Sequence, residues 1–121
     1  MDRYDYRNAV KEDVKAYIMD NYGEELADKL ADRGEFTELL YNELWTVDAV
    51  TGNGSGSYFF STYKSEEAIC HNLDLLGEAL GEFGCSGDVL ANGAEWCDVT
   101  IRCYLLGEAI DEALNEIENE E

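Results

Sequence analysis

Carboxylates at helical spacing are the side chains whose pattern could do chemistry in this chain. There are two rows of three carboxylates, and within each row the residues are four positions apart. The first row is Asp74, Glu78 and Glu82, and the second is Glu108, Glu112 and Glu116. Side chains four residues apart on an α-helix lie about 6 Å apart, which is comparable with the separation of successive phosphates along a nucleic-acid strand. Together with Asp111, these rows are candidate partner-binding residues for a basic protein surface.

The second row lies in residues 98–117, where apolar side chains recur at spacings of three and four. The recurring set is Val99, Cys103, Leu106, Ile110, Ala113 and Ile117. This pattern predicts an amphipathic helix with a core stripe and an acidic outer face. Ile101, Tyr104 and Leu105 lie away from the stripe, so the first half should be enclosed on several sides. Apolar residues also alternate over 99–106, which leaves a strand as the alternative there.

An internal repeat relates the two acidic rows. The sequence LLGEAL at residues 75–80 reappears as LLGEAI at residues 105–110. In both copies the apolar side chains fall on one side of a helix and the acidic ones on the other. If these two helices pack side by side, their outer faces would present both rows on one rigid body. Two copies are fewer than the roughly three repeats that a solenoid needs.

Length and charge limit the classes of protein to consider. A chain of 121 residues predicts a single acidic globular domain over residues 1–121. The net charge is −20, yet 45% of the residues are hydrophobic, which is atypical of a disordered acidic tail. Such a charge repels nucleic acid and anionic membranes and attracts basic proteins. The charged N-terminus and the lack of a long apolar run predict a cytoplasmic protein.

The N-terminal half predicts three helices. The first spans residues 5–22, with Asp2 or Asp5 as its cap, and the second spans residues 24–32 with Ala27 and Ala31 among its inward residues. Gly34 is expected to end this second helix, and a third helix is expected to begin at residue 35 and to bury Phe36, Leu39, Leu40 and Leu44. With the two repeated helices, this predicts a mainly α fold, a compact bundle of about five helices.

A line of basic residues runs along the first predicted helix. Arg3, Arg7, Lys11 and Lys15 are spaced by four, so their charged groups follow one flank. They could contact phosphate or an acidic partner. Because the chain is so acidic, the favoured interpretation is that they pair with its own carboxylates while their stems cover apolar surface.

Residues 48–64 break the helical pattern. Several glycines and an Asn-Gly pair precede aromatic residues, which predicts a Gly-rich loop or a short β-hairpin. Phosphate binding is disfavoured because the stretch lacks the lysine of a P-loop and its surroundings are acidic. Asn53, Tyr58 and Phe59 are instead candidates for contact with a protein partner.

Catalysis and metal binding have little support in the sequence. His71 is the only histidine, and its neighbour Cys70 would point about 100° away on a helix, so the two do not form a nucleophile and base pair. The four cysteines include no C-x-x-C pair and are expected to be reduced. We therefore predict no enzyme, no cofactor and no metal site.

Several short stretches resemble a known group of proteins. They are Glu43-Leu44-Trp45, Val50-Thr51-Gly52-Asn53, Ser55-Gly56-Ser57-Tyr58, Cys70-His71-Asn72, and the run WCDVTIRCYLL at residues 96–106. About half of the chain is similar to an uncharacterised family of small acidic proteins from bacteriophages and mobile elements of gut bacteria. The resemblance implies a bacterial cytosol as the setting, in which phage products often disarm host defence, and it implies no particular site residues.

Two functions follow from these features. The first is a phage-type inhibitor, an anti-CRISPR or anti-restriction protein that mimics DNA or RNA and fills the basic channel of a host nucleic-acid-binding defence protein. The second is a non-catalytic interaction or structural module that uses the Gly-rich aromatic region. The apolar first half of the last helix is closed either by this chain or by a second copy, and the latter case predicts a homodimer.

Overall fold

The computed structural model describes residues 2–47, 49–51, 73–82 and 99–120. The predicted hairpin or loop at residues 48–64 lies almost entirely outside these ranges, as do the candidate contact residues Asn53, Tyr58 and Phe59 and the pair Cys70 and His71. The described part of the chain is mainly helical and holds no strand.

Five α-helices and one 3₁₀ turn make up the described structure. In chain order they are α1 (Arg3–Tyr22), the 3₁₀ turn (Gly23–Glu25), α2 (Leu26–Leu30), α3 (Arg33–Leu44), α4 (Leu73–Glu82) and α5 (Val99–Glu120). Among these elements α5 is central, because it packs against α1, α3 and α4.

Helix α1 begins two residues earlier than predicted because Asp2 is its cap. The Asp2 carboxylate accepts a hydrogen bond from the Asp5 N–H at 2.9 Å, and the Asp5 carboxylate accepts one from the Asp2 N–H at 3.3 Å. This reciprocal capping box satisfies amide groups that the first turn leaves without helical partners. The buried face of α1 consists of Tyr6, Val10, Val14 and Ile18.

The α2–α3 region differs from the prediction in three respects. Gly34 does not end the second helix, since α2 ends at Leu30 and Gly34 lies in the first turn of α3. Helix α3 begins after Asp32, whose carboxylate accepts a hydrogen bond from the Glu35 N–H at 3.2 Å. Ala27 and Ala31 are exposed, because α2 is too short to bury more than Leu26 fully. The prediction that Leu39 is buried is also wrong. Its side chain is 41% exposed, since Phe36, Leu40 and Leu44 already form the inner stripe of α3.

Helix α5 is helical throughout, so the strand alternative for residues 99–106 is wrong. Its described stripe is buried as predicted, from Cys103 to Ile117. The first half is enclosed on several sides, since Ile101 and Leu105 are fully buried as well. Ile101, Cys103 and Leu105 are buried within one chain, so these three positions need no second copy to cover them.

The core divides into two clusters along α5. One lies between α5, α1 and α3, and its members include Val14, Ile18, Leu40 and Ile110. The other joins Ile101 and Leu105 of α5 to Tyr6 of α1 and to the leucines of α4. Helix α5 therefore holds both halves of the described structure together. Within the described ranges, no helix combines the length and apolar character needed to cross a membrane.

The internal repeat is also visible in the structure. The buried positions of α4 are Leu75, Leu76, Ala79 and Leu80, and their equivalents Leu105, Leu106, Ala109 and Ile110 of α5 are buried too. A close helix crossing would explain glycines inside α4 and α5, but the surroundings of Gly81 and Gly107 give little support for it. A Cβ at Gly107 would lie 3.8 Å from the Tyr41 ring, which is an ordinary contact, and one at Gly81 would meet nothing within 4 Å.

Candidate functional site

The acidic row of α5 faces the basic line of α1. Arg3 Nη2 lies 2.7 Å from Glu108 Oε2, Lys11 Nζ lies 2.8 Å from Glu116 Oε2, and Lys15 Nζ lies 3.2 Å from Glu120 Oε1. Each pair joins residues 105 positions apart, and the numbers rise together, so the two helices run parallel in register. We call these three pairs the ion-pair ladder.

The ladder omits one of its four positions. The constant offset of 105 would pair Arg7 with Glu112. Instead, the Arg7 guanidinium lies over the Tyr4 ring, with its Cζ 5.3 Å from the ring centre. Glu112 forms no ion pair with any described residue and is partly exposed. The basic line of α1 and the carboxylates of α5 share a spacing of four, but they form three ion pairs rather than four.

The ladder shifts the pKa of Lys11, Lys15 and Glu116. Contact with Glu116 raises the pKa of Lys11, and contact with Glu120 raises the pKa of Lys15. The Lys11 ammonium in turn lowers the pKa of Glu116. Each of these shifts favours the charged form, as expected for opposite charges held close together.

Arg3 binds equivalent residues of both repeats. Its Nη1 lies 3.0 Å from Glu78 Oε1 on α4, and its Nη2 contacts Glu108 on α5, which is the equivalent position. The Tyr104 hydroxyl also donates to Glu78 at 2.8 Å, and the Arg3 guanidinium lies over the Tyr104 ring. One cation therefore joins α4, α5 and the start of α1.

Two further arginines also form ion pairs between helices. Arg33 at the start of α3 reaches Asp111 at 2.7 Å and Glu118 at 3.1 Å, both on α5. Arg102 of α5 contacts Asp13 of α1 at 3.2 Å. Like the ladder, these contacts join a cation of one helix to carboxylates of another.

All seven lysines and arginines in the described ranges contact the chain's own side chains. Five of them form ion pairs, while Arg7 and Lys29 lie over tyrosine rings. The basic line of α1 therefore pairs with the chain's own carboxylates at three of its four positions, which was the favoured interpretation of the sequence. No described cation extends into solvent without such a contact.

The predicted partner-binding carboxylates fall into two groups. Glu78, Glu108, Asp111 and Glu116 bind arginine or lysine of the same chain. Asp74, Glu82 and Glu112 form no ion pair within the described ranges, and Asp74 and Glu82 are exposed on α4. The structure thus brings the α5 row together with α1 instead of presenting the whole row outward.

The structure presents another acidic surface, which the sequence interpretation missed. Six exposed carboxylates lie near the turn from α1 into α2 and α3, and none of them forms an ion pair with a described residue. They are Asp20, Glu24, Glu25, Asp28, Glu35 and Glu38, and we call them the acidic corner. The signal was present in the sequence as seven acidic residues between positions 20 and 38 against two basic ones.

One carboxylate is held by neutral donors rather than by cations. The hydroxyls of Tyr17 and Tyr22 donate to Glu43 at 2.8 Å and 2.6 Å, which joins α1 to α3. Burial and this hydrogen bond raise the pKa of Tyr17 to about 12. The bond to Glu43, followed by burial, raises the pKa of Tyr22 to about 12. This arrangement stabilises the protonated form of both tyrosines.

Among the described residues, no three histidine, cysteine, aspartate or glutamate side chains lie together in a way that could hold a metal ion. Cys103 is buried in α5, and the other three cysteines lie outside the described ranges. What the described arrangement can do chemically is present fixed negative charge on a rigid helical body. Comparison with protein-family models, with curated proteins and with solved structures finds no match to this chain.

Proposed function

We propose that this protein is a non-catalytic inhibitor that presents an acidic, nucleic-acid-like surface to a basic nucleic-acid-binding protein of a bacterial host, such as a CRISPR effector or a restriction enzyme. The observation that carries the proposal is that the lysine and arginine side chains contact other side chains of the same chain. Every described lysine and arginine is engaged in such a contact. The negative charge of the carboxylates outside those contacts is therefore not neutralised by a neighbouring cation within the described ranges. The described residues hold 21 acidic and 7 basic side chains.

Inhibition would be steric and electrostatic. The carboxylates outside the ion pairs would occupy sites where the partner binds phosphates, and the body behind them would block the channel. The packing of the helices supports this mechanism indirectly, because one buried cluster joins α1, α2, α3 and α5 and so fixes the backbone that carries the acidic corner. Fixed charges complement a preformed basic channel at a lower entropic cost than a mobile acidic tail would.

The setting of the proposal comes from the sequence. Similarity to small acidic phage proteins supports a role in the cytoplasm of a bacterial host, where a defence protein would be met. The proposal includes a single domain arranged as a compact bundle of about five helices, with a Gly-rich loop or short β-hairpin near residues 48–64. Neither nucleic acid nor a membrane is a partner, because both are anionic.

A second candidate function is an interaction module that uses the Gly-rich aromatic region. It is favoured by the way the chain is anchored as it enters this region. Val50 and Thr51 are buried, and Arg102 donates to the Val50 carbonyl at 3.0 Å. The Thr51 hydroxyl lies 3.1 Å from the Trp45 carbonyl, to which it can donate. A fixed stem would position Asn53, Tyr58 and Phe59 for contact with a partner, and a homodimer is one form of this alternative.

Salt dependence distinguishes the two functions. Immobilised protein is incubated with bacterial lysate at low salt and eluted with a salt gradient, and the captured proteins are then purified and assayed for DNA binding. The inhibitor hypothesis predicts nucleic-acid-binding proteins that elute at moderate salt and whose DNA binding decreases when this protein is added. Capture that is insensitive to salt would favour the Gly-rich region.

Two variants with matched charge locate the surface responsible. One replaces Glu108, Glu112 and Glu116 by glutamine, and the other replaces Glu24, Glu25 and Glu38 in the acidic corner. Because Glu108 and Glu116 are already paired, we expect the corner variant to lose more of the captured protein. If no captured protein loses DNA binding in the presence of the wild type, the inhibitor proposal is wrong.

A further inference from the structure

We infer that a cavity between α2 and α3 is the point at which a basic protein partner docks, with one arginine of the partner in the cavity. This inference rests on the proposed function, because it specifies how a basic partner is recognised. The cavity measures about 200 Å³ and is lined by Asp28, Lys29, Asp32, Glu35, Phe36 and Leu39. This volume is below the roughly 300–1,000 Å³ typical of small-molecule sites, so it suits a single side chain.

The apolar part of the cavity suits the stem of an arginine. Leu39 is 41% exposed although it belongs to a helix with a well-buried inner stripe, and it borders the cavity beside Phe36, which is 2% exposed. Arginine buries its methylene groups along apolar surface while its guanidinium stays in a polar environment. The exposed leucine would therefore gain burial when a partner covers it.

The polar part of the cavity suits the guanidinium. Asp28 and Glu35 form no ion pair with any described residue, and Asp32 uses only one carboxylate oxygen to cap α3. Lys29 reduces this negative charge, but its ammonium lies 5.8 Å from the centre of the Tyr22 ring. The lining thus carries three carboxylates against one ammonium. A planar guanidinium can bind carboxylates in a bidentate manner, which an ammonium cannot do.

Charge complementarity fixes the class of occupant. The cavity lies within the acidic corner, whose other exposed carboxylates would attract a segment that carries several positive charges. The occupant is therefore a basic segment of a protein, with an arginine in the cavity and an apolar residue one helical turn away against Leu39. A second groove beside Met19 continues the corner along Asp20, Glu24 and Glu25, and it extends the acidic surface available to such a segment.

The test uses a synthetic helical peptide that carries two arginines and two leucines at i, i+4 spacing. A matched peptide has the arginines replaced by citrulline, which has nearly the same shape but no charge. Dissociation constants are measured by fluorescence anisotropy for the wild type and for Asp28→Asn/Glu35→Gln. The control variant, Asp74→Asn/Glu82→Gln, removes the same charge from exposed carboxylates of α4. Thermal unfolding shows that each variant is folded.

The inference predicts that the cavity variant binds the arginine peptide about tenfold more weakly, which corresponds to about 1.4 kcal/mol, whereas the α4 variant changes affinity less than twofold. Leu39→Ser should also weaken binding of the arginine peptide. Because salt does not screen an apolar contact, this loss should persist at high salt. Equal losses in both charge variants would overturn the inference, as would equal binding of the citrulline peptide. Either result would leave the inhibitor proposal to be decided by the capture and DNA-binding assays, which assume no particular surface.

Discussion

The carboxylates of α5 and those of the acidic corner belong to equally acidic segments but have different surroundings. On α5, Glu108, Glu116 and Glu120 lie opposite a basic line at the same spacing, and each contacts a cation of α1. In the corner, the basic residues close by in sequence are Lys29, whose ammonium lies over a tyrosine ring, and Arg33, which pairs with carboxylates of α5. Net charge alone does not distinguish these two surfaces.

The difference separates carboxylates that hold the fold together from those available to a partner. A paired carboxylate would have to exchange its own lysine or arginine for a partner's, with little net gain in electrostatic energy. An unpaired carboxylate among like charges is repelled by its neighbours, and a basic partner relieves that repulsion. The acidic corner is for this reason the better candidate for binding, although the row on α5 has the more regular spacing.

The largest expected effect tests whether the ladder or the core beneath it holds α1 against α5. Ile110 is fully buried in the cluster between α5, α1 and α3. We expect Ile110→Ala to lower the free energy of unfolding by about 3 kcal/mol, through lost apolar burial and the cavity left behind. Urea denaturation measures this change. If Ile110→Ala lowers the free energy of unfolding less than Lys11→Met does, the ion pairs and not the core contribute most to holding α1 against α5.

The fold was largely predictable because its signals are local. The spacing of apolar residues predicted α1, α5 and most of α3, and the repeat predicted that α4 and α5 share one burial pattern. The exposure of Leu39 was not predictable, because it depends on which face of α3 meets α5. The two rows of charges were visible as well, but a spacing of four occurs on any helix. Whether Glu116 pairs with Lys11 or faces solvent depends on the parallel packing of α1 and α5, which no local pattern specifies.

Glu43 sharpens the comparison as a carboxylate paired with neutral groups. The pKa of Tyr17 and of Tyr22 is raised to about 12, above the usual value of 10. Their contribution to stability is therefore complete below pH 10 and is lost as the pH rises through 12, on the order of 2 kcal/mol in total because one carboxylate serves both. Absorbance at alkaline pH should show two tyrosines titrating near pH 12. In Glu43→Gln both should titrate closer to pH 10, and an unchanged titration would show that the carboxylate is not the cause.

The ladder predicts a specific loss of stability in acid. The pKa of Glu116 is lowered beside Lys11, so its contribution is complete above the unfolded pKa of about 4.3 and is lost as the pH falls through the lower folded value. Glu116→Gln should be less stable at pH 7 and should lose less stability between pH 5 and pH 2. The control is Glu112→Gln, which removes the same charge from the row at the position where no ion pair forms. If both variants respond alike, the ladder contributes nothing beyond net charge.

Charge reversal tests the comparison with one substitution at two places, and its effects are the smallest. Glu38→Lys in the acidic corner should raise the free energy of unfolding by a few tenths of a kcal/mol, because it removes a repulsive charge and places a cation within one turn of Glu35. Glu116→Lys should lower it, because the new ammonium faces Lys11 and Lys15. Thermal unfolding at low salt measures both, and 0.5 M NaCl should shrink both changes. Effects of the same sign would mean that net charge, and not pairing, determines what each carboxylate does.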